Sequence, residues 1–341
     1  MKKMIHALRR FGPWIFVSEY LISPLYGVIW EYVINAPGKL LFLRSAYRGR
    51  RGDPALAAAG VTVARTPELT ALAQRLRASL SKDAIDKARA EMLATNSEYS
   101  VDIFETLDAK SRVELTKFAL SPVVLGPVMS YLRVAPRLLI PKILFNIPRP
   151  HLSEEGSKLW HRDVGYGYRG LMLFLALTDV DDESGPYYAM GTDVIPRHAD
   201  IPKTLDPGLD VWRRYRTTNE EMGAHVDMTR ATKLSGPAGT AAWVDGGNCY
   251  HKGGHCTVRE RLMLFLEFAT DDGDESLHVP GWSAFVDTND PELRQLASDP
   301  LIAYITAPSD TAIMRRWKLW RLSKAAYRVA LRYYMRPRLV A

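Results

Sequence analysis

Residues 161–163 read His161-Arg162-Asp163. The apolar run Leu171-Met172-Leu173-Phe174-Leu175-Ala176-Leu177 follows, closed by Thr178-Asp179-Val180-Asp181-Asp182-Glu183-Ser184-Gly185-Pro186. The run suits a buried strand, and the Asp/Gly/Pro cluster suits the turn that ends it. In an extended chain the i, i+2 spacing puts His161 and Asp163 on one side and Arg162 on the other. Working outward, a second histidine, His251, comes after Gly239-Thr240-Ala241-Ala242-Trp243-Val244-Asp245, and Arg261 opens a further apolar run to Ala269.

Two imidazoles and one carboxylate are the donor set that holds a non-haem Fe(II) on one face and leaves positions open on the other. For this chain to use it, His251 must come from a distant strand that folds back beside His161 and Asp163. An arginine at the start of the next strand suits a bidentate, charge-assisted pair with a carboxylate of an iron-bound co-substrate. Two alternatives stay open. His255 is a rival second histidine, although Lys252-Gly253-Gly254 breaks the helix that such a pair would need. Arg259 is a rival for Arg261. The triplet also occurs in the catalytic loop of protein kinases, but the downstream Asn, the Asp-Phe-Gly and the upstream glycine-rich loop are missing.

Over roughly residues 155 to 272 these motifs resemble the phytanoyl-CoA dioxygenase family of Fe(II)/2-oxoglutarate-dependent oxygenases. The resemblance implies a double-stranded β-helix, a jelly-roll or cupin-like barrel of β-strands with N-terminal helices buttressing one sheet. It implies Fe(II) on His161, Asp163 and His251, and 2-oxoglutarate as co-substrate, with Arg261 on its far carboxylate and Phe174 packed along it. It further implies O2 as oxidant and hydroxylation of a substrate with release of succinate and CO2. Asp163 fills a position that halogenating relatives leave to a halide, which speaks for hydroxylation or another oxidation. The chain departs from the pattern at Gly191-Thr192-Asp193, where the family has a Gly-Ser-His corner. Its step from His251 to Arg261 is one residue shorter than the commonest, and this is what keeps Arg259 in view.

The net charge of +7 is unevenly spread. Residues 1–52 hold nine Lys and Arg against two Glu, and residues 311–341 hold nine and no acid. Of the chain's 45 basic and 38 acidic residues this leaves 27 and 36 for the body. Basic ends on an acidic body point to local docking on an anionic surface. Between Trp317 and Arg336, helical spacing gathers Lys318, Arg321, Lys324, Arg328, Arg332 and Arg336 opposite an aromatic-rich apolar face, the composition of an interfacial helix. The same spacing also fits a helix packed on the body with its arginines in water. Residues 11–43 are rich in Trp, Tyr, Ile and Leu, but prolines and glutamates interrupt them, so neither a clean spanning run nor a signal peptide is expected. We expect peripheral attachment to an anionic membrane surface from the cytoplasmic side. No nucleic-acid motif accompanies the charge.

Two cysteines, Cys249 and Cys256, fit a reducing compartment, and their spacing is not that of a zinc site. The expected organisation is an attachment segment over 1–52, a catalytic domain over 53–290 and a basic amphipathic C-terminal helix over 291–341. Within the catalytic domain, 53–150 reads as mainly helical and the barrel core as about 155–272. Thr66-Pro67 reads as a helix start, Ser81 to Thr95 and Arg112 to Phe118 as helical, and the prolines from Pro122 to Pro150 as chopping the chain into short pieces. Tyr166, Tyr168 and Arg169, and the loop carrying Arg197, His198, Trp212 and Arg216, are candidate substrate contacts. Basic, aromatic ends suit an amphiphilic or sugar-containing substrate, glycolipid-like or lipid-linked, while acyl-CoA thioesters and small natural products stay open. The rival from another class is a non-catalytic, membrane-associated cupin-like binding protein. The sequence carries no signal of oligomeric state.

Overall fold

The computed structural model describes residues 36–50, 52–94, 100–139, 141–151, 154–163, 170–195, 216–270 and 290–307. Helices α1 (Ala36–Arg44) and α2 (Pro54–Ala59) lead into strand β1 (Val61–Arg65). Then come α3 (Pro67–Ser79), α4 (Lys82–Ala94), β2 (Val101–Asp102), α5 (Ala109–Ala119), α6 (Pro122–Leu132), β3 (Arg137–Leu138) and β4 (Lys142–Asn146). The second half supplies β5 (Gly170–Ala176), β6 (Tyr187–Met190), α7 (Asn219–Gly223), β7 (Thr232–Leu234), β8 (Thr240–Val244), β9 (Tyr250–Gly253) and β10 (Arg261–Ala269). Helices α8 (Pro291–Ala297) and α9 (Pro300–Thr306) end the described chain.

The strands form two antiparallel sheets. The larger runs β1-β8-β5-β10-β4-β2, with β3 also on β10, and the smaller runs β7-β6-β9. From β5 to β10 the chain passes back and forth between the sheets, which is jelly-roll winding. The sheets face each other without closing into a continuous barrel. Met172 and Phe174 of β5, Ala242 and Val244 of β8 and Met263 of β10 meet Tyr187, Ala189 and Leu234 of the smaller sheet in the space between. The alternate residues Leu171, Leu173, Leu175, Leu262, Leu264 and Leu266 pack the other way, against Leu69, Leu72 and Leu76 of α3, Leu115 of α5 and Val124 and Val128 of α6. Both faces of β5 are therefore buried, the reason its sequence is an unbroken apolar run.

Local rules act where the sequence predicts them. The Thr66 side chain accepts from the Leu69 N–H, with Pro67 in the first turn of α3, and Asp108 caps α5 through Ser111 N. The stretch 53–150 differs from its mainly helical reading by four strands. They are short, and what fixes them is their partner: β1 lies on β8 in the register Val61↔Val244 to Arg65↔Thr240, and β4 lies on β10. The first two prolines, Pro122 and Pro127, do not break the chain, whereas those from Pro136 on bound the short strands β3 and β4, as expected. Pro122 opens α6, where its missing N–H is needed by nothing, and Pro127 is tolerated inside because the helix is packed into the core.

Past residue 290 the chain forms two short helices, each capped by an aspartate with proline next, not the start of one long helix. Ile302 and Ile305 of α9 are buried, and the Arg137 guanidinium lies 3.6 Å over the Tyr304 ring. Helix α9 packs on α1 and β3, so the two ends of the described chain meet on one side of the body. The helix expected from Trp317 to Arg336, and residues 1–35, lie outside the described residues. Among the described residues no single helix is long and apolar enough to cross a membrane.

Candidate metal centre

His161 and His251 are brought side by side by the backbone itself. They form an isolated antiparallel bridge, in which each N–H donates to the other's carbonyl, at 3.0 and 2.8 Å. His251 belongs to β9 and pairs on its other side with Ala189 of β6. The Asp163 N–H donates to Gly246 O at 2.9 Å, which brings the carboxylate under both rings. His161 Nε2 stands 3.9 Å from Asp163 Oδ1 and His251 Nε2 3.5 Å from Oδ2. One ligand atom from each residue falls within 4.8 Å of the others.

Second partners set the tautomers. His161 Nδ1 lies 2.7 Å from Leu159 O and His251 Nδ1 3.1 Å from Cys249 O. A carbonyl only accepts, so each Nδ1 carries the proton and each Nε2 turns its lone pair toward Asp163. Burial first, then the charge of His251, pushes His161 down to about 3; burial pushes His251 down to about 4. Both rings are neutral near pH 7, the form that ligates a metal. Burial pushes Asp163 up, opposed by His161 and Arg216. A cation set among these three groups would favour the carboxylate form, so the donors fit Fe(II).

Gly246 makes the space. A Cβ there would collide with Asp163 Oδ2, stand 2.5 Å from Met172 Cε and 3.3 Å from His251 Cε1. The turn that delivers His251 is anchored by Asp245, whose carboxylate accepts from the Tyr131 hydroxyl and Asn248 Nδ2, both at 2.7 Å.

From the histidines a row of rings crosses the gap between the sheets. Tyr187 stacks on His251 at 5.8 Å, Phe174 lies 4.1 Å from Tyr187 and Phe265 5.0 Å from Phe174. Arg261 shares the inward parity of Met263 and Phe265 on β10. It is 5% exposed, and its Nη2 donates to Asn146 Oδ1 at 3.3 Å. Its Nε and Nη1 have no acceptor among the described residues. Leaving charged donors buried and unanswered is costly, and a carboxylate entering this space would relieve it. The arginine thus fits the far end of a 2-oxo dicarboxylate.

The two rivals stand elsewhere. Arg259 is exposed and ion-paired to Asp181 and, at 3.1 Å, to Glu183. His255 Nε2 is bound to Arg149 O and does not join the metal-ligand group. The Gly191-Thr192-Asp193 corner clips helix α2, with Thr192 N on Ala59 O at 2.8 Å and its hydroxyl on Ala58 O at 3.1 Å. Cys249 and Cys256 are buried and form no disulfide. Their thiols sit on the Ala59 and Ser184 carbonyls. Arg162 turns away from Asp163, over the Tyr250 ring at 4.3 Å.

Sequence reasoning did not single out Tyr187 or Gly246. Tyr187 was findable, as an inward position of the strand after the polar turn. Gly246 carries no sequence signal, since space emerges only from assembly. Arg216 is placed by its field, which acts on His161, Asp163 and His251. Tyr166, Tyr168, Arg169, Arg197, His198 and Trp212 lie outside the described residues.

Fold and donor set together define a two-sheet jelly-roll protein with a 2-His-1-carboxylate centre. No protein-family model and no curated protein matches the sequence. Among solved structures, the chain is similar to the apo form of the non-heme monooxygenase ThoJ, at 16% identity over 63% of this chain and 76% of that one, with a TM-score of 0.39. It is similar to EvdO2 from Micromonospora carbonacea var. aurantiaca complexed with 2-oxoglutarate, at 16% identity over 63% and 88%, TM-score 0.37. EctD from S. alaskensis with bound Fe is 17% identical over 69% and 78%, TM-score 0.38.

Proposed function

We propose that this chain is an Fe(II)- and 2-oxoglutarate-dependent dioxygenase that hydroxylates an amphiphilic or sugar-containing substrate. One observation carries the reading: the His161–Asp163–His251 donor set, its two histidines buried, shares the space between two sheets with Arg261, whose Nε and Nη1 have no acceptor among the described residues. A structural cluster of histidines would not need a buried arginine with idle donors. The motif pattern over residues 155 to 272 supports a reading within the phytanoyl-CoA dioxygenase family.

In this reading His161, Asp163 and His251 hold the iron, Arg261 takes the far carboxylate of 2-oxoglutarate, and Phe174 and Tyr187 wall its methylene chain. Bound together with O2, iron and co-substrate supply the oxidation, leaving succinate, CO2 and a hydroxylated product. The protein's share is to orient these groups and keep water out, which the packed Met172, Phe174, Tyr187 and Met263 do.

The charge partition supports work at an anionic membrane surface. Leu40 and Leu43 of α1 are each 49% exposed, on a helix that ends at Arg44 and is followed by Arg48 and Arg50. Apolar side chains beside basic ones suit a lipid boundary. Because α1 and α9 pack together, both basic ends leave the body from neighbouring points, which favours one shared attachment face. A lipid-linked sugar or glycolipid is the matching substrate class, and the two buried thiols, which form no disulfide, fit the cytoplasmic side. Incubating the iron-loaded protein with 2-oxoglutarate and candidate glycolipids tests this, by succinate release and a product heavier by one oxygen. Stoichiometric iron without succinate from any substrate would favour a binding protein instead.

A further inference from the structure

The smaller sheet has a second face, turned away from the metal centre. On it Tyr188 of β6 and Lys252 of β9 lie opposite each other, each one residue from Tyr187 and His251, which point the other way. With Trp160, Pro186, Met228 and Asn219 they line a cavity of about 370 Å³, within the range of small-molecule sites. Lys252 is 4% exposed, and its ammonium is held at the wall. It donates to both oxygens of Glu154, also on the wall, at 2.9 Å, and to Asn219 Oδ1 at 3.0 Å. Trp160 Nε1 donates to the same amide oxygen at 2.9 Å. An ammonium and an indole only donate, so Asn219 turns its oxygen to them and its NH2 group elsewhere. The lysine thereby fixes a carboxylate and an amide beside each other.

We propose that this cavity binds a neutral sugar ring, at a site separate from the metal centre. The Asn219 NH2 group offers two donors, each Glu154 oxygen has a lone pair beyond the one Lys252 uses, and the Tyr188 hydroxyl both donates and accepts. Neighbouring hydroxyls of a sugar each donate and accept, which an adjacent carboxylate and amide answer. The C–H face of the ring suits the Tyr188 ring and the Pro186 and Met228 surfaces. An ion fits worse. Glu154 is paired with Lys252 and Asp182 with Lys233, so neither carboxylate on the wall calls for a cation and the lysine calls for no anion. A plain alkyl chain fits worse too, since it would cover the carboxylate and the amide without bonding to either. Polar groups held in place before the ligand arrives lose little order on binding. The site uses neither iron nor 2-oxoglutarate, so it stands or falls apart from the activity proposed above.

The test is saturation-transfer NMR on the full-length protein with the methyl glycosides of glucose, galactose, mannose and N-acetylglucosamine, and with octyl glucoside beside them. At least one methyl glycoside should bind, with the strongest transfer to its ring protons. Tyr188→Ala should weaken that binding about tenfold or more, through lost aromatic contact. Asn219→Asp keeps the oxygen that Lys252 and Trp160 use and removes the NH2 donors. Affinity should fall about three- to tenfold, the worth of a neutral hydrogen bond. Its melting temperature should hold, because an acid suits the first turn of α7. If Tyr188→Ala melts early, Asn219→Asp decides. No transfer to any methyl glycoside overturns the proposal, and so does binding that the variants leave intact. Binding of octyl glucoside with none of the methyl glycosides would make the cavity an alkyl-chain site and overturn the sugar assignment.

Discussion

His161 and His251 exchange both of their backbone hydrogen bonds, at 3.0 and 2.8 Å, although about ninety residues of chain separate them. The two histidines of the candidate metal site are therefore held in register by a β-bridge, and their ring centroids stand 4.3 Å apart before any ion is considered. A site preorganised in this way loses little order when it binds. Its weak points are the contacts that set the third ligand and the free end of the co-substrate.

Gly246 is the first of these. Its missing Cβ is the room that Asp163 and His251 occupy. Gly246→Ala should displace the Asp163 carboxylate and lower Fe(II) affinity about 10- to 100-fold, the usual cost of disturbing a ligand's support. Metal titration beside a melting curve checks it. Equal metal affinity in the variant would show that Met172 and Asp163 yield freely.

Arg261→Lys keeps the charge and loses the fork. Removing a charge-assisted hydrogen bond of about 1.5–3 kcal/mol should weaken 2-oxoglutarate binding about tenfold or more while Fe(II) binding survives. Arg259→Lys should leave the affinity unchanged, since that side chain is exposed and paired with Asp181 and Glu183. The reverse pattern in calorimetry would reassign the arginine.

The two chain ends separate by truncation. Removing residues 308–341 should reduce co-sedimentation with anionic vesicles while leaving the melting temperature nearly unchanged, because α9 remains. Salt should release much of what the intact chain binds. Removing residues 291–341 should also lower stability, since buried Ile302 and Ile305 are lost, each worth about 1.5–3 kcal/mol. Undiminished vesicle binding by the 308–341 deletion would remove that segment from the attachment face.

Much of this architecture is legible in the sequence. The unbroken run of β5 announces a strand buried on both faces, and Thr66-Pro67 announces α3. The i, i+2 step from His161 to Asp163 requires only local geometry. Strands β1 to β4 escape notice because they are short, and only their partners make them strands: β8 for β1, β10 for β3 and β4, and β4 in turn for β2. Pro127 misleads because a buried helix tolerates what an isolated one does not. The choice of His251 over His255, and of Arg261 over Arg259, depends on which side chains end up facing the gap between the sheets. Spacing narrows each to two, and assembly then places one of each pair inside.

The most direct measurement is Fe(II) binding followed by anaerobic addition of 2-oxoglutarate, on the wild type and on His251→Ala and His255→Ala. The account predicts one Fe(II) per wild-type chain and a new absorption band when 2-oxoglutarate joins it. Both should be lost in His251→Ala and kept in His255→Ala. Iron and band retained in His251→Ala but lost in His255→Ala would contradict the site, and a wild type that takes up neither would contradict the function.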